Sequence, residues 1–111
     1  MTRLTIGLFV LSTAALACAK KDIGGIQPGT VFVAARDSFF QPDTIHVAAG
    51  LPVRWTNEGT VNHTVVSDAA LWTSAPLAPT WWFEVRFDSA GTYAYHCSLH
   101  AGMTGAVVVS P

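Results

Sequence analysis

The sequence contains few charged residues, and the charges are nearly balanced. Of its 111 residues, six are Lys or Arg and seven are Asp or Glu, so the formal net charge is −1. A protein that binds the phosphate backbone of nucleic acid needs a basic surface, which this balance does not supply. Apolar residues make up 50% of the chain and four residues are Trp, a composition that excludes disorder. We therefore expect one globular domain and no nucleic-acid partner.

Cysteine is also scarce, since the chain has only Cys18 and Cys97. Two cysteines form at most one disulfide, which excludes a small domain held together mainly by disulfides. The positions of the two residues are more informative than their number. One follows an apolar leader, and the other lies near the C-terminus, close to a histidine and a methionine.

The N-terminal segment predicts a secretory signal. Arg3 precedes the uncharged run Leu4–Leu16, which ends in the small residues before Cys18. As a helix this run would rise about 20 Å, too little to span a hydrocarbon core of about 30 Å. The segment Ala15-Leu16-Ala17-Cys18 resembles a bacterial lipobox, in which cleavage before the cysteine accompanies lipidation of its thiol. We expect residues 1–17 to be a lipoprotein-type signal peptide.

Two other interpretations of this segment remain open. Ala15 and Ala17 also fit an ordinary signal-peptidase site, which would leave a soluble periplasmic protein, and the run could instead stay as an uncleaved anchor. The lipoprotein interpretation makes residues 18–29 a lipid-anchored tether and residues 30–111 the folded domain. It predicts a protein anchored by Cys18 to a membrane of the bacterial cell envelope, on the periplasmic side. Cys97 then has no disulfide partner.

The rest of the chain has the pattern of an all-β protein. Short runs of alternating apolar residues are separated by turn residues, and no 3.6-residue period is sustained after the leader. Six or seven strands in this length predict an antiparallel sandwich or barrel. The predicted strands begin at Val31, Thr44, Val53, His63, Phe83, Thr92 and Gly105. Residues 69–82 do not alternate, so we expect a long loop there that is packed down by its aromatic residues, Trp72, Trp81 and Trp82. We expect Trp81 and Trp82 to pack beneath the loop, and a surface for a partner protein is the alternative.

Three residues whose side chains can bind a metal ion lie at regular spacing at the end of one predicted strand. Cys97 lies at the end of the strand that begins at Thr92, and His100 and Met103 follow at steps of three. A tight turn would bring the three side chains together, and Gly102 and Gly105 give the backbone freedom that such a turn needs. His63, at the start of another predicted strand, can supply a second imidazole. One Cys, two His and a weak Met suit copper that cycles between two oxidation states.

The sequence resembles the cupredoxins, the small blue copper proteins, and within them the plastocyanin/amicyanin-like group. The resemblance covers about residues 31–109 and is carried by Phe40–Gly50, by Val53–Asn57 leading to His63, and by Tyr93–Val109. It implies a Greek-key β-sandwich of seven or eight strands. It also implies one type-1 copper ion, with His63, Cys97 and His100 as strong ligands and Met103 as the weak axial ligand.

Other residues near these ligands have more ordinary interpretations. Thr64 follows the first ligand histidine, where the family often has an Asn that bonds to the cysteine loop, and a Thr side chain reaches less far. His46 lies between the inward-facing Ile45 and Val47, so we expect it at the surface. His96 points away from Cys97 across the strand, as an exposed histidine or as an exit for electrons.

The resemblance implies electron transfer with transient redox partner proteins, by a monomer that is not an enzyme. Storage or delivery of Cu(I) uses the same ligands and remains the alternative. A cysteine nucleophile paired with His63 or His100 would leave Met103 without a role, and no serine-hydrolase or zinc-protease motif accompanies the pair. Zinc would likewise make no use of the thioether.

Overall fold

A computed structural model describes residues 26–111. The predicted signal peptide (1–17), Cys18 and most of the predicted tether lie outside this range. Within it, the chain forms eight β-strands joined by turns and loops, with no helix. No helix in this range is therefore available to span a membrane. The strands are β1 (Val31–Ala35), β2 (Phe40–Gln41), β3 (Thr44–Ala48), β4 (Leu51–Asn57), β5 (Val66–Ser67), β6 (Trp82–Phe87), β7 (Gly91–His96) and β8 (Thr104–Ser110).

The strands form two four-stranded sheets that enclose one core, which confirms the predicted all-β sandwich. One sheet has the order β2-β1-β4-β6 and the other has the order β3-β8-β7-β5. The expectation of purely antiparallel pairing is wrong, because β1 pairs parallel with β4 and β3 pairs parallel with β8. Side chains alternate with a period of two in both kinds of pair, so the sequence pattern does not distinguish them.

Alternation along the strands builds the core between the sheets. In β3, Ile45 and Val47 are buried, whereas His46 is exposed as expected. Trp55 and Tyr95 are fully buried and meet edge to face at 5.2 Å between ring centroids. Phe40 also meets Tyr95 edge to face, at 4.8 Å between ring centroids. Such aromatic pairs contribute about 0.5–1.5 kcal/mol beyond their buried area, so these three rings form the centre of the sandwich.

The segment that we predicted as a strand from His63 is mostly irregular. His63 forms an isolated bridge with Leu77, and the strand β5 contains only two residues, Val66 and Ser67. The bridge holds the segment against the 69–82 loop: the His63 amide donates to the Leu77 carbonyl at 3.1 Å, and the Leu77 amide donates back at 2.7 Å.

Two of the three tryptophans of the 69–82 loop are placed differently from the prediction. Trp81 and Trp82 are 59% and 53% exposed, so the expectation that they pack beneath the loop is wrong. Trp72 packs inward instead, 5.3 Å from Phe87 and 6.3 Å from Trp55 between ring centroids. The guanidinium of Arg54 lies 3.7 Å from the centroid of Trp82, a cation–π contact that keeps this ring on the outer face of the sheet.

Gly105 has a different role from the one its position suggested. Gly102 uses its backbone freedom, with φ of +79°, whereas Gly105 does not have a positive φ. Gly105 lies directly opposite Tyr95 in the pairing of β8 with β7. A Cβ atom at this position would overlap the phenol end of the Tyr95 ring and lie 2.9 Å from the Asp43 carbonyl oxygen. Gly105 is therefore required for the space that the ring occupies.

We expect Gly105→Ala to destabilise the domain by about 1–3 kcal/mol, because the buried ring has no room to move away from the added methyl group. The measurement is the free energy of unfolding in urea. Thr104→Ala, at the exposed neighbouring position of β8, is the control and should change stability by about 0.5 kcal/mol or less. Equal stability of Gly105→Ala and the wild type would contradict this account of the packing.

Candidate metal centre

The loop between β7 and β8 brings Cys97, His100 and Met103 together. β7 ends at His96, which pairs with Thr104 at the start of β8. The Cys97 amide donates to the Met103 carbonyl at 2.9 Å, and the Met103 amide donates to the His100 carbonyl at 3.3 Å. These two bonds close the loop into a compact turn. Cys97, His100 and Met103 line one depression at this end of the sandwich.

His63 reaches the same point from the segment before β5. Its Nδ1 lies 3.9 Å from the Sγ of Cys97, and the Nδ1 of His100 lies 3.4 Å from the same sulfur. The potential ligand atoms of these three residues all lie within 4.8 Å of one another. The structure thus brings together residues that are 34 positions apart in the sequence.

The spacing of these donors fits a single metal ion. Nitrogen and sulfur donors bind a first-row metal at about 2.0–2.3 Å, so two donors that share an ion lie at most about 4.6 Å apart. Both nitrogen–sulfur separations are shorter than this limit. Two imidazoles, one thiolate and a nearby thioether form the donor set that selects copper over zinc, magnesium or calcium.

The two candidate imidazoles differ in exposure. His63 is fully buried, as are Cys97 and Met103, whereas His100 is partly exposed. Beside His100, the side chain of Leu99 is 51% exposed. The site is therefore dry on one side and accessible at a single imidazole on the other.

The surroundings of Cys97 favour its thiolate form. Burial raises the pKa of the thiol, but the hydrogen bond from the Thr64 amide, the contacts with the ring nitrogens of His100 and His63, and the Leu99 amide outweigh burial and lower the pKa to about 6. The Thr64 amide lies 3.4 Å from the sulfur. Because the thiolate is the form that binds metal, the protein prepares this ligand before an ion arrives. Cys97 is a free thiol in the described part of the chain.

Thr64 joins the two segments that carry the candidate ligands. Its Oγ1 accepts a hydrogen bond from the Ser98 amide at 2.8 Å and also bonds to the Ser98 hydroxyl at 2.8 Å. The Thr side chain reaches less far than an Asn would, as expected, but it still bonds to the cysteine loop.

The two other histidines of the domain are not among the converging donors. His46 is exposed on β3. The Nδ1 of His96 lies 2.6 Å from the Asp68 carboxylate, and the ring is on the opposite side of β7 from Tyr95 and Cys97.

Asp37 is a contact of the centre that the sequence analysis did not identify. Its Oδ1 lies 3.4 Å from the Nε2 of His63. The residue is in the turn after β1, 26 positions before His63, and no motif links the two positions. Only the packing of β1 beside β4 brings them together.

Comparison with known proteins agrees with this arrangement. A family model described as a cupredoxin-like domain matches residues 5–109. Chloroplastic plastocyanin of Tetradesmus obliquus is 35% identical over 83 residues, covering 63% of this chain and 57% of the relative. Amicyanin-alpha of Methylorubrum extorquens is 31% identical over 104 residues, covering 88% of this chain and 87% of the relative. A solved structure of a purple cupredoxin from Nitrosopumilus maritimus matches with a TM-score of 0.68 and 30% identity, covering 72% of this chain and 99% of that one.

The family model and the amicyanin relative each extend over most of the chain, whereas the matched region spans just over half of the plastocyanin. The fold, the donor set and these similarities agree with one another. This chain therefore belongs to the cupredoxin-like family, and its cofactor is one type-1 copper ion.

Proposed function

We propose that this protein is an electron carrier, not an enzyme, and that it holds copper through His63, Cys97, His100 and Met103. The observation that carries the proposal is the convergence of two imidazole nitrogens and one thiol within 4.8 Å, beside the buried Met103. Bound copper supplies the one-electron chemistry, as Cu(I) or Cu(II). The protein has to hold the donors in nearly the same positions for both oxidation states.

Backbone hydrogen bonds hold the segments that carry the donors. His63 is fixed to Leu77 by a pair of backbone hydrogen bonds, and Cys97 is fixed to Met103 across the loop. Thr64 then connects the two segments through Ser98. Donors that are held in this way move little when the charge of the ion changes, and a small rearrangement favours fast electron transfer.

The partly exposed His100 gives electrons a short path to the surface. Leu99, Ala101 and Gly102 are exposed around it and carry no charge. A small apolar contact of this kind suits brief, weak docking of redox partners. Redox exchange with transient protein partners is therefore part of the proposal, and the protein acts in it as a monomer.

The first test is the absorption spectrum of the copper protein. We expect Cu(II) to produce an intense visible thiolate-to-copper band in the wild type, and Cys97→Ser to abolish it, because a hydroxyl cannot replace the thiolate. His46→Ala, which removes an exposed histidine outside the centre, is the control and should retain the full band. A colourless Cu(II) complex of the wild type would contradict the type-1 assignment.

The same preparation distinguishes a carrier of electrons from a carrier of copper. We expect the wild type to retain its copper through repeated reduction and oxidation in the presence of a Cu(I) chelator, and to exchange electrons rapidly with a small redox protein. Release of copper to the chelator or to a copper-free acceptor at each reduction would instead support Cu(I) storage or delivery.

A second test concerns Thr64. We expect Thr64→Val to keep the visible band but to accelerate copper loss about tenfold. The substitution removes the hydroxyl that bonds to the ligand loop, and loss of a hydrogen bond that supports metal ligands typically lowers metal affinity 10–100-fold. Copper dissociation is measured with a competing chelator. Ser98→Ala is the matched control, because it removes the bond between the hydroxyls but keeps the Ser98 amide bonded to Thr64. Equal dissociation rates in Thr64→Val and Ser98→Ala would rule out this role.

We also propose that the protein works in the bacterial cell envelope, anchored on the periplasmic side by lipid on Cys18. The lipobox-like segment before Cys18 and the apolar run Leu4–Leu16 support this location. Several acyl chains would hold the protein at the membrane, whereas one chain alone binds only marginally.

We expect the full chain, produced in a bacterium, to be found in the membrane fraction, and Cys18→Ser to prevent lipid-dependent membrane attachment. Cell fractionation and mass spectrometry of the mature N-terminus provide the measurement. Recovery of the wild type as a soluble periplasmic protein that begins at an unmodified Cys18 would contradict lipidation.

A further inference from the structure

The imidazole of His63 has one ring nitrogen toward Cys97 and the other toward a carboxylate. Its Nδ1 faces the Cys97 sulfur at 3.9 Å, while Nε2 lies 3.4 Å from the Oδ1 of Asp37. The ring is fully buried and Nε2 makes no hydrogen bond, while the Asp37 carboxylate lies within ion-pair distance of it. A buried N–H without an acceptor costs about 1–3 kcal/mol, so the Asp37 carboxylate is the group that can satisfy it.

The Asp37 side chain is held in place although it is exposed. The Thr60 amide donates to its Oδ1 at 2.7 Å, and the Thr60 hydroxyl donates to its Oδ2 at 2.7 Å. Asn57 in turn shapes the loop that carries Thr60, since its amide group donates to the Val61 carbonyl and its Oδ1 accepts from the Gly59 amide. The two hydrogen bonds from Thr60 thus fix both oxygens of the Asp37 carboxylate beside His63.

Gly59 provides the space for this approach. A Cβ atom at position 59 would overlap the Asp37 carboxylate and would lie 3.1 Å from the Nε2 of His63. The backbone of Gly59 does not have a positive φ, so its conformation does not require glycine. The missing side chain leaves room for the carboxylate and the imidazole to meet.

We propose that Asp37 is a positioning residue for the copper ion: it accepts the Nε2 proton of His63 and thereby keeps Nδ1 free to bind the metal. This inference rests on the proposed function. Carboxylates that hold the remote nitrogen of a ligand histidine fix its tautomer and orientation, and they make the ligand more basic. Asp37 also places a negative charge behind one ligand, which stabilises Cu(II) more than Cu(I) because the attraction grows with the charge of the ion.

Two substitutions of Asp37 distinguish its role as acceptor of the His63 proton from the effect of its negative charge. Asp37→Asn removes the charge but leaves an amide oxygen that can still accept the Nε2 proton. We expect it to retain the His63 tautomer and to shift the equilibrium toward Cu(I) about tenfold, which corresponds to 59 mV for one electron. Asp37→Ala removes the acceptor as well, and we expect it to raise the dissociation constant for copper 10–100-fold.

The readouts include one that needs no copper. Nitrogen-15 NMR of the metal-free protein reports which ring nitrogen of His63 carries the proton. We expect Nε2–H in the wild type and in Asp37→Asn, and a mixture of tautomers in Asp37→Ala. Redox titration of the copper-loaded proteins then gives the shift between Cu(I) and Cu(II).

The chain offers a matched control in Asp68, whose carboxylate contacts His96 at 2.6 Å. His96 neighbours Cys97 but is not among the proposed ligands. Asp68→Asn removes the same charge from a carboxylate–histidine pair, and we expect it to move the redox equilibrium less than twofold and to leave the His63 tautomer unchanged.

Gly59→Ala gives an independent test, because it displaces the Asp37 carboxylate without changing any charged group. We expect the same loss of the pure Nε2–H tautomer as in Asp37→Ala. The proposal is overturned if the His63 tautomer is unchanged in both of these variants, or if Asp37→Asn shifts the redox equilibrium no more than Asp68→Asn. In both of these outcomes the wild type still shows the visible copper band. Failure of the proposed function is a different result, because the wild type itself then lacks the band.

Discussion

The pairing of β7 with β8 is the constraint on which the metal centre depends. His96 is the last residue of one strand and Thr104 is the first residue of the next, and the two lie opposite each other. The seven residues between them must therefore turn back within one strand spacing. The bond from the Cys97 amide to the Met103 carbonyl closes this turn at its base. A shift of the register by one residue would move Tyr95 out of the core and Cys97 away from the centre, so the ligand loop and the core are specified by the same contacts.

The second half of the centre depends on a less regular part of the fold. His63 lies on a segment that forms only an isolated bridge, and its position is defined by hydrogen bonds to Leu77 and by the contacts of Thr64 with Ser98. The 69–82 loop thus has a clear structural role, because it carries Leu77 and buries Trp72 against the core. Few regular strand bonds hold His63, so the side chains around it have to supply the remaining restraint.

Charge and burial act together at this site. Cys97 and His63 are buried away from water, and the low dielectric constant there strengthens the hydrogen bonds and the electrostatic interactions around them. Hydrogen bonds keep the pKa of Cys97 low despite its burial, and the Asp37 carboxylate faces the far side of His63. The partly exposed His100 is the exception, and it marks the side from which the centre is accessible. A buried site that is open at one imidazole is well suited to the passage of electrons.

Much of this protein could be predicted from short-range patterns. The spacing of Cys97, His100 and Met103 after an alternating strand pointed to a metal centre, because a tight turn brings residues three apart together. Alternation also identified Ile45 and Val47 as buried and His46 as exposed. These features depend on near neighbours, so the sequence alone determines them.

Other features depend on contacts between distant segments, and only the tertiary structure decided them. The parallel pairing of β1 with β4 does not change the alternation of apolar and polar residues in either strand. It nevertheless brings the turn that contains Asp37 beside the Asn57–Val61 loop. The overlap with the Tyr95 ring that makes Gly105 necessary arises across two strands. Trp72, Trp81 and Trp82 are the same residue type, but only Trp72 packs against the core, where it is partly buried. Residue types and local spacing thus determined which ligands the chain has, whereas long-range packing determined the groups that surround them, because side chains far apart in sequence meet only after the sheets have formed.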